Sequence, residues 1–448
     1  MAEPLSGNSA PDTAQVTLSE LKEALRGHQV YLSHGAKGRR AVFQFRDLSE
    51  IALSGVDLSK ADLTGSKFTG TKLNKSLFCE ANLFCADLRM ASLLHADLSG
   101  ADLRGASLRG ANLTDAKLLK TDIRPAMLAR YDERGNFVAH EFDETPARLG
   151  GIVALRANLS GAKLSQSLMR MADFTDANLS NADLSGADMR KTTLVGANLS
   201  GASLCNVNLS GATLTGAQLQ GADIQGADLM GADMRGAFLD EATLAREEMK
   251  MAKAPARIRK SKDEIQAMIE AHGRWLETSG KEGQRGNFAD LDLSGVELQD
   301  SNLALADFQR CSLVGSDLSG AELAMAVLMF CDLRQCNLER ADLRGANLER
   351  AILLEAKLDR SNLGSLDQIG SAALSNPANL EHAKLAKASL REAVLTYAHL
   401  MRADLTGADL SGANLNGADL SGADLTGAQT AGADLSGILR VDTLGLPD

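Results

Sequence analysis

"ADLSGADLRGASLRGANL", residues 96–113, restates one phrase: Ala, a polar residue, Leu, then two residues often ending in Gly. Leucine returns at every fifth position, at Leu98, Leu103, Leu108 and Leu113. Neither regular element buries such a set together. In an α-helix each residue advances about 100°, so successive leucines stand roughly 140° apart and smear around the cylinder. In a strand side chains alternate faces, so an odd step sends them to opposite sides in turn. What remains is a backbone that turns once per repeat and winds around its own leucines. Repetition at a fixed short period is the signature of a solenoid.

The phrase extends far beyond this stretch. With the large apolar residue as centre, one register runs from Phe43 to Leu128 and a second from Leu159 to Leu244, 18 units each. A third runs from Phe288 to Leu363 in 16 units, and a fourth from Leu380 to Leu435 in 12. Together they occupy 320 of 448 residues. Phe68, Met189, Ile224 and Phe308 keep an apolar centre where Leu is absent, and Thr430 is a weak exception.

This pattern resembles the pentapeptide repeat family, whose consensus is A-[D/N]-L-x-x. The resemblance implies an all-β solenoid, a right-handed quadrilateral β-helix with four pentapeptides per coil. The centre and the residue two before it point inward, so residues 20 apart stack. At about 4.7–4.9 Å per coil, some 16 coils amount to about 75 Å. The small residue two before each centre suits a narrow interior. Cys311 and Cys331 take that place on consecutive coils and read as small core residues rather than a disulfide or metal pair. Residues just before the centre point outward in columns. Asn158, Asn178, Asn198 and Gln218 form one, suited to a stacked amide ladder. Asp62, Asn82, Asp102 and Asp122 form another, and Asp62, Asp102 and Asp122 make it a candidate acidic face.

A larger duplication overlies the small one. "TLSELKEALRGHQVYL" (17–32) aligns with "SKDEIQAMIEAHGRWL" (261–276), each opening with Ser or Thr followed three later by Glu, a capping box. Apolar residues at helical spacing predict two amphipathic helices, carrying Leu21, Leu25, His28 and Tyr31 in the first and Ile265, Ile269, His272 and Trp275 in the second. Each leads through a Gly- and basic-rich turn, "GAKGRR" or "GKEGQR", into the first coil. An open β-helix end exposes apolar side chains and strand edges, and a helix laid across it covers both. The paired His28 and His272 read as hydrogen bonds that fasten helix to coil.

The expected organisation is two tandem units, each with an N-terminal capping α-helix. A disordered tail at 1–16 precedes a unit at 17–245. A basic linker at 246–260 follows, then a unit at 261–440 and a tail at 441–448. Register breaks imply inserted loops at 129–153 and 364–377. The first, "ARYDERGNFVAHEFDETPARLGG" (129–151), has the most complex composition in the chain. Its Tyr131, Asp132, Glu133, Phe137, His140 and Phe142 are the candidate partner-binding residues, with Gly135-Asn136 as a turn between two short strands.

Composition narrows function. Net charge is −11, from 47 basic and 58 acidic residues, and aromatics are 4%, which argues against binding nucleic acid directly. There is no apolar run of spanning length and no secretory signal pattern at Met1 to Val16, and the six cysteines lack disulfide or zinc spacing. A bacterial cytoplasmic protein is expected. The seven histidines are scattered, no catalytic, metal or cofactor motif is present, and the glycines are turn residues of the repeat, so no cofactor and no enzyme activity are expected. The reading that results is a noncatalytic scaffold or adaptor for a protein partner, with a homo-oligomer or end-to-end stacking of copies as a further mode of assembly. The family resemblance supplies an alternative: a DNA mimic that occupies type II topoisomerases and protects gyrase. Magnitude counts against it, because 11 net charges over about 75 Å fall far below one per about 1.7 Å of duplex axis.

Overall fold

In a computed structural model, residues 14–126, 129–131, 137–139, 149–253, 258–366 and 376–446 are described. The chain forms two compact units, Met1–Ala254 and Pro255–Asp448.

The rule that builds each coil is visible at Leu63. Its N–H donates to the Asn82 carbonyl one coil on at 2.7 Å, and Asn82 N–H returns a bond to Ala61 at 2.9 Å. Asp62 and Asn82 are thereby bridged in parallel, as are residues 20 apart on every face of both units. Between faces the chain turns, with Ala61 N–H bonded to Leu58 O at 3.0 Å. The third residue of that turn, Lys60, has φ 61°, as a type II turn requires. Each face therefore holds only two or three extended residues before the next corner, which is why the β-coils contain no long strands among the described residues.

The interior is filled. Ala61, Leu63, Leu98 and Leu103 are 0–1% exposed, and one continuous core runs through each unit. Fully burying such a leucine contributes about 1.5–3 kcal/mol. At most polar small inward positions the hydroxyl finds a centre carbonyl: Ser66 Oγ donates to Leu63 O at 2.6 Å and Thr121 Oγ1 to Leu98 O at 3.1 Å. Cys331 does likewise, its Sγ 2.7 Å from Phe308 O and 3.4 Å from Cys311 Sγ, and both cysteines are free thiols. These cysteines are small core donors.

In the first unit, α1 (Leu18–His34) is started by a capping box in which Thr17 accepts from Glu20 N–H and the Glu20 carboxylate returns to Thr17 N–H. Leu21 joins the core and Leu25 packs against it. The coil is interrupted by an antiparallel hairpin of β1 (Ala129–Tyr131) and β2 (Phe137–Ala139), with Tyr131 opposite Phe137. The unit closes with α2 (Glu241–Leu244) and a 3₁₀ turn, Glu247–Met251, which buries Met249. In the second unit β3 (Ile258–Arg259) precedes α3 (Lys262–Glu277), started by the matching box of Ser261 and Glu264, and pairs in parallel with β4 (Leu291–Asp292).

Several sequence-based boundaries move. The coil resumes at Leu149, not after 153: Gly110 N–H bonds Gly150 O, and Leu149 and Ala154 are buried as centres. Composition concealed this because Ala154 is an alanine where a leucine is expected. Leu128 lies outside the described residues. Leu244 leaves the coil, since the Asp240 carboxylate accepts Thr243 N–H at 2.7 Å and starts α2. Gln15 bridges Asp47 and Val16 is buried, so the N-terminal tail is tied down from there. In the stretch expected to be a linker at 246–260, Met249 is buried, Lys253 is bridged to Asp233 and Ile258–Arg259 form β3, while most of its other described residues are exposed. Leu444 bridges Asp424, extending the second coil past 440. The second insertion enters and leaves through an antiparallel bridge between Leu366 and Asn376.

Candidate interaction surfaces

With the interior occupied, chemistry is confined to the outward columns, the helices and the insertions. Asp62, Asn82, Asp102 and Asp122 do stack, each bridged to the next. They do not form an open row of carboxylates. Arg104 holds Asp102 through Nε and a terminal nitrogen at 2.8 and 2.6 Å, and Arg124 holds Asp122 in the same way at 2.9 and 2.7 Å. Arg104 also lies over the Phe84 ring, 5.5 Å from its centroid. Burial pushes the Asp122 carboxyl up, but bonds from the Arg124 side chain and backbone outweigh it and hold it below the usual range. At Asp62, burial is likewise outweighed by hydrogen bonds from Thr64 and Gln44. The cause is the spacing: an Arg just after the centre shares the face with an Asp just before it. Asp87–Arg89, Asp188–Arg190, Asp332–Arg334 and Asp342–Arg344 repeat the fork.

The expected amide ladder also takes another form. Asn158, Asn178 and Asn198 stack, but each Oδ1 accepts the backbone N–H two residues on, at 3.0–3.1 Å. That bond stiffens each corner locally.

The helices meet the coils through their histidines. His28 and His272 are fully buried. His28 Nδ1 accepts Ala41 N–H at 3.1 Å, so its Nε2 carries the hydrogen. His272 Nδ1 accepts Gly286 N–H at 3.0 Å while Nε2 donates to Ala304 O at 3.0 Å, joining the start of the first coil to its last face. Burial lowers both pKa values, with the Ser59 and Ala304 carbonyls partly opposing the effect. Although Ser59 O lies beside it, the buried Nε2 of His28 makes no hydrogen bond of good geometry. Tyr31 and Trp275 stack on the two imidazoles at 5.7 and 5.8 Å. The basic turns have a structural use: Arg285 Nε donates to Leu305 O at 2.6 Å, and Arg40 makes the matching bond to Lys60 O. Leu21 and Ile265 are buried, and Leu25 and Ile269 pack on the cores.

Of the candidate loop residues, Tyr131 and Phe137 are backbone partners in the register of the hairpin. Asp132, Glu133, His140 and Phe142 lie outside the described residues. Among the described residues no group of three or more His, Cys, Asp or Glu side chains forms a metal site, and no helix is long and apolar enough to cross a membrane.

The reading by residue type missed the end of the first unit. The last coil's open donors are met by side chains: Gly221 N–H by Asp240 Oδ2 at 2.9 Å and Gly226 N–H by Glu248 Oε1 at 2.7 Å. These bonds hold both carboxyls below their ordinary pKa. The signal available was "DEATLAREE" (240–248), where acid residues replace the repeat.

A family model described as pentapeptide repeats (8 copies) matches segments that together cover 39–124, 157–236, 287–323, 326–364 and 378–438, more than half of the chain. No curated protein is matched by this sequence. Among solved structures, QnrB1, a plasmid-mediated fluoroquinolone resistance protein, is 19% identical over 47% of this chain and 95% of its own, with a TM-score of 0.29. A pentapeptide repeat protein of the Arabidopsis thaliana thylakoid lumen is 31% identical over 21% of this chain and 67% of its own (TM-score 0.21). HetL, involved in heterocyst differentiation regulation in the cyanobacterium Nostoc, is 22% identical over 95% of this chain and 94% of its own (TM-score 0.16). At such TM-scores these superpositions add nothing to the family match. Repeat, coil and family model agree: the chain belongs to the pentapeptide repeat family, and its solenoid is that family's right-handed β-helix.

Proposed function

We propose that this protein is a noncatalytic scaffold that binds another protein through its outer faces and its first insertion, in a reducing compartment such as the bacterial cytoplasm. The observation that carries this reading is the filled interior: centres and small inward residues are at or near zero exposure through both cores, leaving the outward columns and insertions as the surfaces on which to act. Two buried cysteines whose sulfurs lie 3.4 Å apart without a disulfide between them support the compartment. The two units are proposed as tandem helix-capped β-helices, with α1 and α3 covering the N-terminal ends of their coils. Burial of Leu21, His28, Ile265 and His272 supports this role. The DNA-mimic reading is disfavoured, since Arg104 and Arg124 neutralise the acidic column on which it depends.

The test is affinity capture from a bacterial lysate with the intact chain and with residues 129–151 replaced by a short Gly-Ser loop. A protein retained only by the intact chain supports the insertion as its contact. Retention by both forms moves the contact to the faces. Recovery of gyrase or topoisomerase IV subunits, followed by altered supercoiling, overturns the scaffold reading in favour of the mimic.

A further inference from the structure

One face of the first unit breaks the pairing of Asp and Arg that neutralises its neighbour. It is the face whose centres include Phe68, Leu88, Leu108, Leu149, Met169 and Met189. Successive corners donate to Arg89, Arg109, Gly150, Arg170 and Arg190: Gly70 N–H to Arg89 O, Met90 to Arg109, Gly110 to Gly150, Gly151 to Arg170 and Met171 to Arg190. The arginines thus stand in one column over four steps, roughly 19 Å at the spacing of paired strands.

The carboxylates do not keep pace. Arg89 has Asp87, but the place before the centre is Ser107 for Arg109 and Leu168 for Arg170. Asp188 is shared by Arg170 and Arg190, at 2.5 and 2.7 Å. Lys67 and Lys191 add to the same face, and no carboxylate among the described residues pairs with Lys67, Arg109 or Lys191. From Lys67 to Lys191 the described residues of this face are six cations against two carboxylates, in a chain of net charge −11. Beside this column, at the same corner, Met90 and Met171 are 67% and 68% exposed.

We propose that this face docks an acidic, apolar-bearing segment of a partner protein. Excess positive charge selects the carboxylates and steers their approach. The two methionines, unbranched and adaptable, receive apolar side chains between them. Among the described residues the face carries no aromatic platform for bases, and the overall negative charge repels nucleic acid at long range, so a peptide fits better than a polynucleotide. The inference rests on the scaffold reading and names the partner's chemistry.

The experiment is fluorescence anisotropy of the full chain with a labelled peptide of repeated Glu-Glu-Leu, about ten residues long. Binding is expected, weakened at least about tenfold by Arg109→Glu with Lys191→Glu and strongly reduced in about 0.5 M salt, where screening acts within a few ångströms. Neither substitution removes an ion pair seen among the described residues, and the milder Arg109→Gln with Lys191→Gln gives a second readout if the reversal disturbs folding. Lys117→Glu with Lys357→Glu makes the same change in net charge elsewhere and is expected to leave affinity unchanged. Met90→Ser with Met171→Ser is expected to weaken the peptide without changing the salt dependence. No binding, or equal loss in the Lys117/Lys357 control, overturns the proposal. A duplex oligonucleotide of equal charge that binds more tightly and depends on Arg109 and Lys191 overturns it in favour of nucleic acid. Failure here removes this face alone, because capture through the insertion is measured separately.

Discussion

Protonating His28 or His272 breaks a bond that its neutral ring makes. Nδ1 of each accepts a backbone N–H, and a proton there turns acceptor into donor. Because burial depresses both pKa values below 6.5, the unfolded chain binds protons that the folded chain refuses as pH falls below that value. Stability is therefore expected to be unchanged above about pH 7 and to decline from about pH 6.5 toward the folded-state pKa values. Thermal unfolding at pH 7.5 and 5.0 measures this, and His28→Gln with His272→Gln is expected to flatten the decline between them. An equal decline in the double variant assigns the acid sensitivity elsewhere. A second prediction concerns the corners. Gly105 and Gly70 both have positive φ, 70° and 65°. A methyl at Gly105 meets Cys85 Sγ at 2.7 Å and Ala126 O at 2.8 Å, whereas one at Gly70 meets nothing within 4 Å. Gly105→Ala is thus expected to cost more than Gly70→Ala, which carries only the conformational strain of about 1 kcal/mol; chemical denaturation of both variants measures the difference. The sequence made the leucines legible because their period excludes other folds. The corner glycines were read only as turn residues, because their second role depends on which side chain leans over from the coil below.

At the scale of elements, both helices were legible from capping box and apolar spacing, and their start residues are Leu18 and Lys262. The end of the first unit was not, since a leucine at 244 kept the five-residue rhythm while Asp240 diverted the backbone into α2. Asp240 and Glu248 stand in for the carbonyls of a coil that is not there. Asp240→Ala with Glu248→Ala is expected to speed amide exchange at Gly221 and Gly226 while leaving Gly201, bonded to Gln220 O in the interior, unchanged. Uniform acceleration across all three points instead to global destabilisation, and no change denies the carboxylates this role. Acid is expected to mimic the variant: both carboxyls are held below their ordinary pKa, so their bonds persist at neutral pH and are lost as pH falls through the folded-state values.

At the scale of the molecule, each insertion is a detour from a coil that continues. Ser107 and Asp87 are 20 apart, but Asn112 bridges Val153 and Asn347 bridges Asn379. Steps of 41 and 32 residues thus replace one coil turn. Both breaks were visible in the sequence, and so was the return at Leu380, while the return of the first was not, because Ala154 sits where the pattern asks for a larger centre. The acidic face illustrates the same limit for function. Its column was legible from the spacing, yet its neutralisation depended on side-chain forks across a single face. All surface assignments depend on each unit being one filled coil that continues past its insertion. The decisive measurement is hydrogen–deuterium exchange of the full chain, followed by mass spectrometry of peptides on both sides of each insertion. The expected result is common, slow exchange for 96–123 and 149–220 within the first unit, and for 303–363 and 378–415 within the second. Fast or independent exchange of the segment after either insertion would show that the coil ends there, and the continuous faces assigned to that unit would go with it.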